Sequence, residues 1–545
     1  MRPLLTALFF SFGGSALVLA AIDQPVKLDT GLVSGAPGKN TGVHVFKGIP
    51  YAAPPVGDLR WKPPQPAAKW EGVRAGDQFG NSCMQGGAGG GRGAKGGGKG
   101  PAPKGGGAPK GGGAARGPGG PAGPANSEDC LFLNVWTAAK SPSEKRPVMV
   151  WLHPGGYTSG SGSAPGTDGE NLALKGAVLV TINYRLGIFG FFAHPELTQE
   201  SSHHASGNYA FLDQQAALAW VKKNIAGFGG DPNRVLVFGD SAGSTSIGNL
   251  VASPLSKGLF QRALGESGAW LGLGIAAVPK LAAAEQAGVR TAEGMGAKTL
   301  AELRAKPAAE TLAAGGRTGP VVDGWFLPDD PANIYAQGKQ NDVPLLLGSN
   351  KDEATFFQGP TTAAMFTQSS QMRYGDLADA FLKLYPAPTD EQATVSSFAA
   401  FRDQLGFVMR NWAASQTKTG KSKAYVYYFT HEPPIAGGNP PARDVVTERQ
   451  QGATHGSEAA YVFENLPGNR PWTDLDRKLS DTISSYWVNF AATGDPNGKG
   501  LPKWPAFEEK KNQRLVLGDT IQPGDDLTKD QISLYQQYFD RVRQR

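Results

Sequence analysis

Short apolar runs that stop at glycine, proline or polar residues recur along the chain: Val148 to His153, Ala177 to Tyr184, Val235 to Gly239, Pro344 to Gly348 and Ala424 to Phe429. Continuous runs of this length, without polar alternation, are the pattern of strands buried on both faces, as parallel sheets require. Between the second and third runs lies Gly207 to Phe228, where Leu212, Ala216, Ala219 or Trp220, and Ile225 recur at helical spacing. Lys222 and Lys223 near its end suit a helix C-terminus. Strands alternating with helices predict an α/β fold with a mostly parallel central sheet and helices on both faces. Active residues are then expected in loops at strand C-terminal ends. Pro386 to Pro388, Pro433-Pro434 and Pro440-Pro441 mark turns inside one domain, and no repeat of solenoid period is visible.

The first residues follow another pattern. Arg2 precedes an apolar run from Leu4 to Phe12, and small residues lead to Ala20 and Ala21. This is the layout of a signal peptide over residues 1–21, with export to a periplasmic or secreted location. No later stretch is apolar for long enough to span a bilayer, so no transmembrane anchor is expected. The two cysteines, Cys83 and Cys130, are candidates for a disulfide in an oxidising compartment. Residues 22–545 are expected to form a single domain.

Composition changes the picture at one place. The 545 residues carry a formal net charge of +6, and the 40-residue tract 86–125 holds 20 of the 75 glycines with Arg92, Lys95, Lys99, Lys104, Lys110 and Arg116. Those six cations equal the whole net charge, so the remainder is balanced. Charge therefore gives no support to nucleic-acid binding by the body of the protein. The tract has no apolar side chains to bury and no aromatics on which bases could stack. It reads as a solvated, disordered insertion in a surface loop, with weak electrostatic attachment to anionic surfaces as its expected partner chemistry.

The chemistry centres on Gly239-Asp240-Ser241-Ala242-Gly243. The bare pattern is weak, but the apolar strand Val235 to Phe238 leads into it and a helix can start after it. Glycine on either side permits a turn tight enough to present the Ser241 hydroxyl at a helix N-terminus, where the Ala242 N–H can stabilise an oxyanion. In this architecture acid and base follow the serine, in that order. Of the seven histidines, at 44, 153, 194, 203, 204, 431 and 455, only His431 and His455 do so. His455 lies in the more flexible polar loop, Gly452 to Glu458. Leu345 to Gly348 leads into Ser349-Asn350-Lys351-Asp352-Glu353, two adjacent carboxylates between which spacing alone does not choose. His203-His204 lacks a surrounding ligand set, so no metal or other cofactor is expected.

Phe228-Gly229-Gly230-Asp231-Pro232-Asn233-Arg234-Val235, continuing to Gly243, resembles the serine signature of the type-B carboxylesterase family, to which the cholinesterases belong. Glu128 to Trp136 resembles its second signature, and Phe46 to Ala52, Asn183 to Gly187 and Trp487 to Ala491 match further stock segments. The likeness implies the α/β-hydrolase fold, Glu353 as catalytic acid, His455 as base, a Cys83–Cys130 disulfide, and an oxyanion hole from the N–H groups of Gly155, Gly156 and Ala242. Two departures stand out. The family's His-Gly-Gly-Gly loop reads His153-Pro154-Gly155-Gly156 here, and no aromatic lies between Cys83 and Cys130, which removes support for choline specificity. Proline lacks an N–H, but its position is not one of the donors, so the hole is expected to survive, with an altered acyl side.

The resulting expectation is an exported serine carboxylesterase that hydrolyses a small-molecule ester by two-step acyl transfer. Two alternatives accompany it: a catalytically silent binding or adhesion homologue, and an enzyme whose main substrate is an amide or carbamate.

Overall fold

The computed structural model describes residues 22, 24–86, 124–270, 272, 275, 277–437 and 452–544. The signal-peptide reading of residues 1–21 and most of the Gly-rich tract lie outside them.

The five apolar runs are strands of one large sheet, over Arg146–Leu152, Val178–Ile182, Gly230–Asp240, Leu345–Asn350 and Ala424–Phe429. With Arg262–Glu266 inserted between the third and fourth, their spatial order is 178–182, 146–152, 230–240, 262–266, 345–350, 424–429, every neighbouring pair parallel. Successive side chains serve opposite faces, which explains the unbroken apolar character. Val148, Val150, Val235, Val237, Leu345 and Leu347 enter one core cluster. Met149, Trp151, Leu236, Phe238 and Leu346 enter the other. Helices Tyr209–Asn224, Ala242–Ala252 and Asp390–Thr419 cover the first face, with Val221, Ile247 and Trp412 in its core. Helix Asp474–Thr493 covers the second through Ile483, Trp487 and Phe490.

The periodicity in Gly207 to Phe228 is realised as the helix Tyr209–Asn224 and a 3-10 turn, Ile225–Phe228. On one side Phe132–Thr137, His44–Pro50 and Leu32–Pro37 continue the sheet through antiparallel pairings; on the other, Gln513–Leu517 adds in parallel to Ala424–Phe429 and pairs antiparallel with Ile521–Asp525. Proline and exposed residues interrupt Leu32–Pro37 and Ile521–Asp525 near the edges, whereas Phe132–Thr137 is buried and carries the polar Asn134 and Thr137 within it. Among the described residues no helix is long and apolar enough to cross a membrane.

Cys83 and Cys130 form a disulfide with Cα atoms 4.9 Å apart. Around it, Ser82–Cys83 pairs with Asn126–Ser127, the Ser82 N–H donates to Ala125 O at 2.9 Å, and Asn126 Nδ2 donates to Gln85 O at 3.0 Å. Both flanks of the Gly-rich tract are therefore tied to each other without its help. Replacing residues 87–124 with a short Gly/Ser linker is expected to leave kcat for a small neutral ester within about threefold of the parent, as exposed insertions tolerate. Steady-state kinetics on the shortened chain checks this; loss of turnover with the melting temperature preserved would assign the tract a part in catalysis.

Candidate active site

The strand Gly230–Asp240 ends directly at Ser241, and the helix Ala242–Ala252 starts one residue later. Ser241 has φ 56° and ψ −116°, a conformation a non-glycine residue holds only when its surroundings impose it. Here they do. A Cβ on Gly239 would lie 2.5 Å from Leu152 O, and one on Gly243 would lie 2.0 Å from the same atom. Only glycine at both places lets the turn close against the neighbouring strand. The Ser241 N–H donates to Glu266 O at 2.8 Å, which fixes the elbow from its other side. Ala242 is the first helical residue, so its N–H has no partner inside the helix and points at the turn.

Next to the elbow, Gly155, Gly156 and Tyr157 have φ of 114°, 59° and 62°. A Cβ on Gly155 would stand 2.1 Å from Ser159 O, so this turn also depends on glycine. Pro154 leaves the loop intact. Its carbonyl bonds His153 Nδ1 at 2.8 Å, the His153 ring stacks on Tyr184 at 4.2 Å, and Tyr184 OH donates to His153 O at 2.6 Å. Burial keeps His153 neutral, with its pKa lowered to about 4, so this histidine serves the loop's shape. Gly156, Tyr157, Ser241, Ala242, Thr245 and Trp270 line one cavity of about 270 Å3, whose wall also includes Val278, Arg317 and Pro320.

The structure separates the two candidate histidines. His431 is held between Asp519, 2.6 Å from Nδ1, and Asp476, 2.8 Å from Nε2. Both its nitrogens are occupied. His455 Nδ1 meets Glu353 Oε2 at 2.6 Å, whereas its buried Nε2 has no partner among the described residues. The loop carrying it is pressed against the elbow: a Cβ on Gly456 would lie 3.0 Å from Asp240 Oδ2, one residue before Ser241.

The adjacent acids separate as well. Glu353 is fully buried, and its Oε1 accepts from Ser267 Oγ at 2.5 Å and from the Asn350 N–H at 2.8 Å. Asp352 faces the loop backbone, with Oδ2 accepting from the Ala453 N–H at 2.8 Å. Ser267, 86 residues from Glu353, escaped the sequence reading because the two meet only after the sheet has formed, whereas the Asn350 bond is local to the turn after its strand. The one signal for Ser267 was its place just after the parallel strand Arg262–Glu266.

Three further acids are buried here: Asp240 and Glu458, which act on the histidine, and Glu266, which faces those two. Burial, opposed by the charge of His455 and reinforced by Glu353, raises Asp240 to about 6. Burial and the carboxylates of Asp240 and Glu353 raise Glu458 to about 8. Glu266, buried and facing Glu458 and Asp240, is raised well above the carboxylate range. For His455, burial acts downward, but Asp240, Glu353 and Glu458 outweigh it and lift the imidazole from 6.5 to about 9. Among the described residues no group of three or more His, Cys, Asp or Glu could hold a metal ion, and His203 stacks on Trp325 at 3.8 Å.

A mostly parallel sheet, a strained serine on a strand-to-helix elbow and a following acid and histidine define an α/β-hydrolase. A family profile described as the carboxylesterase family matches residues 23–535, and the chain belongs to that family. It is 34% identical over 542 residues to the fumonisin B1 esterase of Sphingopyxis macrogoltabida, covering 95% of this chain and 91% of that one. It is also 34% identical over 522 residues to the para-nitrobenzyl esterase of Bacillus subtilis, covering 91% and 95%. Among solved structures, a PNB esterase superimposes with a TM-score of 0.74 at 32% identity, covering 94% of this chain and 99% of the other. The carboxylesterase EST55 of Geobacillus stearothermophilus gives 0.74 at 30%, with the same coverage. Carboxylic ester hydrolysis is the chemistry of this family.

Proposed function

We propose that the protein is an exported serine carboxylesterase working through an acyl-enzyme, with residues 22–545 as one catalytic domain. One observation carries this reading: His455 is oriented through Nδ1 by Glu353 at 2.6 Å while Nε2, beside the elbow, is left unpartnered among the described residues. In the neutral tautomer fixed by that bond, Nε2 is the basic nitrogen. It takes the Ser241 proton as Oγ adds to the ester carbonyl. The N–H groups of Gly155, Gly156 and Ala242 receive the developing oxyanion. His455 then gives the proton to the departing alkoxide, releasing the alcohol. Water, deprotonated by the same nitrogen, adds to the acyl-enzyme, and collapse returns the carboxylic acid and free Ser241. Glu353 stabilises the imidazolium formed in each half. The disulfide, and the absence of a membrane-spanning helix among the described residues, agree with export.

Incubation with an organophosphonate ester followed by peptide mass spectrometry tests the mechanism. One stoichiometric adduct on the Ser241 peptide, formed in step with loss of p-nitrophenyl ester hydrolysis, is expected. Absence of both adduct and turnover would favour a silent homologue, and an adduct on another serine would move the nucleophile. Amidase or carbamate activity exceeding ester turnover would change the substrate class.

The carboxylates around His455 also set the pH dependence. Its pKa is raised, so the proton is held through neutrality and the neutral base appears only as pH climbs. Activity is expected to rise from pH 6 toward about 9, with a midpoint above the ordinary 6.5. A kcat/KM profile already flat at pH 7 would show that the acids around His455 do not hold its proton.

The six cations of the Gly-rich tract are assigned to attachment, not turnover. Retention on an anionic resin should weaken with salt and vanish in the shortened chain; equal retention of both would remove that role.

A further inference from the structure

Arg317 lines the Ser241 cavity without a counter-ion. Its Nη1 donates to Thr318 O at 3.2 Å, and its Nη2 to Gly319 O at 2.5 Å and Pro320 O at 2.9 Å. The remaining donors are a second Nη1 hydrogen and Nε–H, and Nε is buried with no partner among the described residues. No ion pair to a described carboxylate involves this side chain, unlike the buried Arg185, which is held by Asp213 at 2.7 Å. Desolvation alone acts on the guanidinium, pulling it down to about 10, so it stays charged at every working pH. A partly buried cation on the cavity wall, with a spare Nη1 hydrogen and three carbonyls bracing the guanidinium, is an incomplete anion site.

The position of the cavity says which part of a substrate reaches it. Ser241, Gly156 and Ala242 are on its wall, whereas His455, which on the reading above protonates the leaving alcohol, is not. The space beyond Trp270 toward Arg317 therefore receives the acyl chain. We infer that Arg317 binds a free carboxylate on the acyl part of the substrate, and that the preferred substrates are half-esters of di- or polycarboxylic acids. This rests on the serine esterase reading. A carboxylate there completes the guanidinium's hydrogen bonding with a charge-assisted pair, and an alkyl chain of equal length leaves the cation desolvated and open.

The test compares monoethyl succinate, glutarate and adipate with ethyl esters of methyl-ended acids of matching length, followed by pH-stat. For at least one chain length, kcat/KM for the half-ester should exceed that of its neutral counterpart by about tenfold or more. The ratio of the two should fall at least about tenfold in Arg317→Gln and less in Arg317→Lys, which keeps the charge. Because Arg317 also braces residues 318–320, a second measurement uses the unaltered enzyme: a free dicarboxylate should inhibit neutral-ester hydrolysis at lower concentration than the matching monocarboxylate. Hydrolysis of neutral esters with half-esters disfavoured, and equal inhibition by the two acids, would overturn the inference while leaving the esterase reading in place. Failure to hydrolyse any ester would overturn the esterase reading itself.

Discussion

On the proposed mechanism, Ser241→Ala is expected to lower kcat for any ester by about 10^4-fold or more, because covalent acyl transfer would disappear and only binding and oxyanion stabilisation would remain. The variant should fold. Ser241 contributes its backbone N–H to Glu266 O, a bond alanine keeps, and the positive φ is imposed by Gly239, Gly243 and Leu152, which are untouched. A melting temperature within a few degrees of the parent, together with residual activity below ~1%, is the expected pair of results. Residual activity above that level in a folded variant would mean that another group supplies the nucleophile.

How much of this site was legible depended on whether its signal was local. The elbow is local: an apolar strand, two glycines around a serine and a helix start all lie within residues 235–252, and the structure realises each. The histidine required tertiary structure. His431 and His455 both follow the serine; loop character and the family resemblance favoured His455, and the docking of His431 between Asp476 and Asp519 supplies the physical reason. Arg317 was invisible for the same reason. It sits in a glycine-rich loop with no periodicity, and what marks it is the absence of a counter-ion among the described residues, which no pattern along the chain records.

The four-carboxylate surround shows this most plainly. Asp240, Glu266, Glu353 and Glu458 come from three parallel strand ends and the histidine loop, more than 200 residues apart in the chain. They converge because parallel strands direct all their C-terminal ends to one edge of the sheet. Asp240, Glu266 and Glu458 hold their protons more tightly than exposed acids do. Only one of the four contacts its ring.

That contact is the basis of the second large effect. Glu353→Gln is expected to reduce kcat by about 10^4-fold, the loss that follows when an orienting acid becomes an amide. The glutamine fits the same space, and its carbonyl can still accept from Ser267 Oγ and the Asn350 N–H. What faces His455 Nδ1 is then an NH2 group, which donates where the carboxylate accepted. Nδ1 must accept in turn, so the ring proton moves to Nε2, the nitrogen that has to take the proton from Ser241. The altered charge adds to this: with Glu353 neutral, one of the carboxylates that raises His455 is lost, and the residual activity should titrate at lower pH than in the parent. Asp352→Asn provides the control. Its side-chain oxygen still accepts from the Ala453 N–H at 2.8 Å, and it makes no contact with the histidine, so kcat should fall by less than about tenfold. The reverse ranking, in two variants that melt like the parent, would transfer the acid's role to Asp352 and require the 452–455 loop to rearrange when substrate binds.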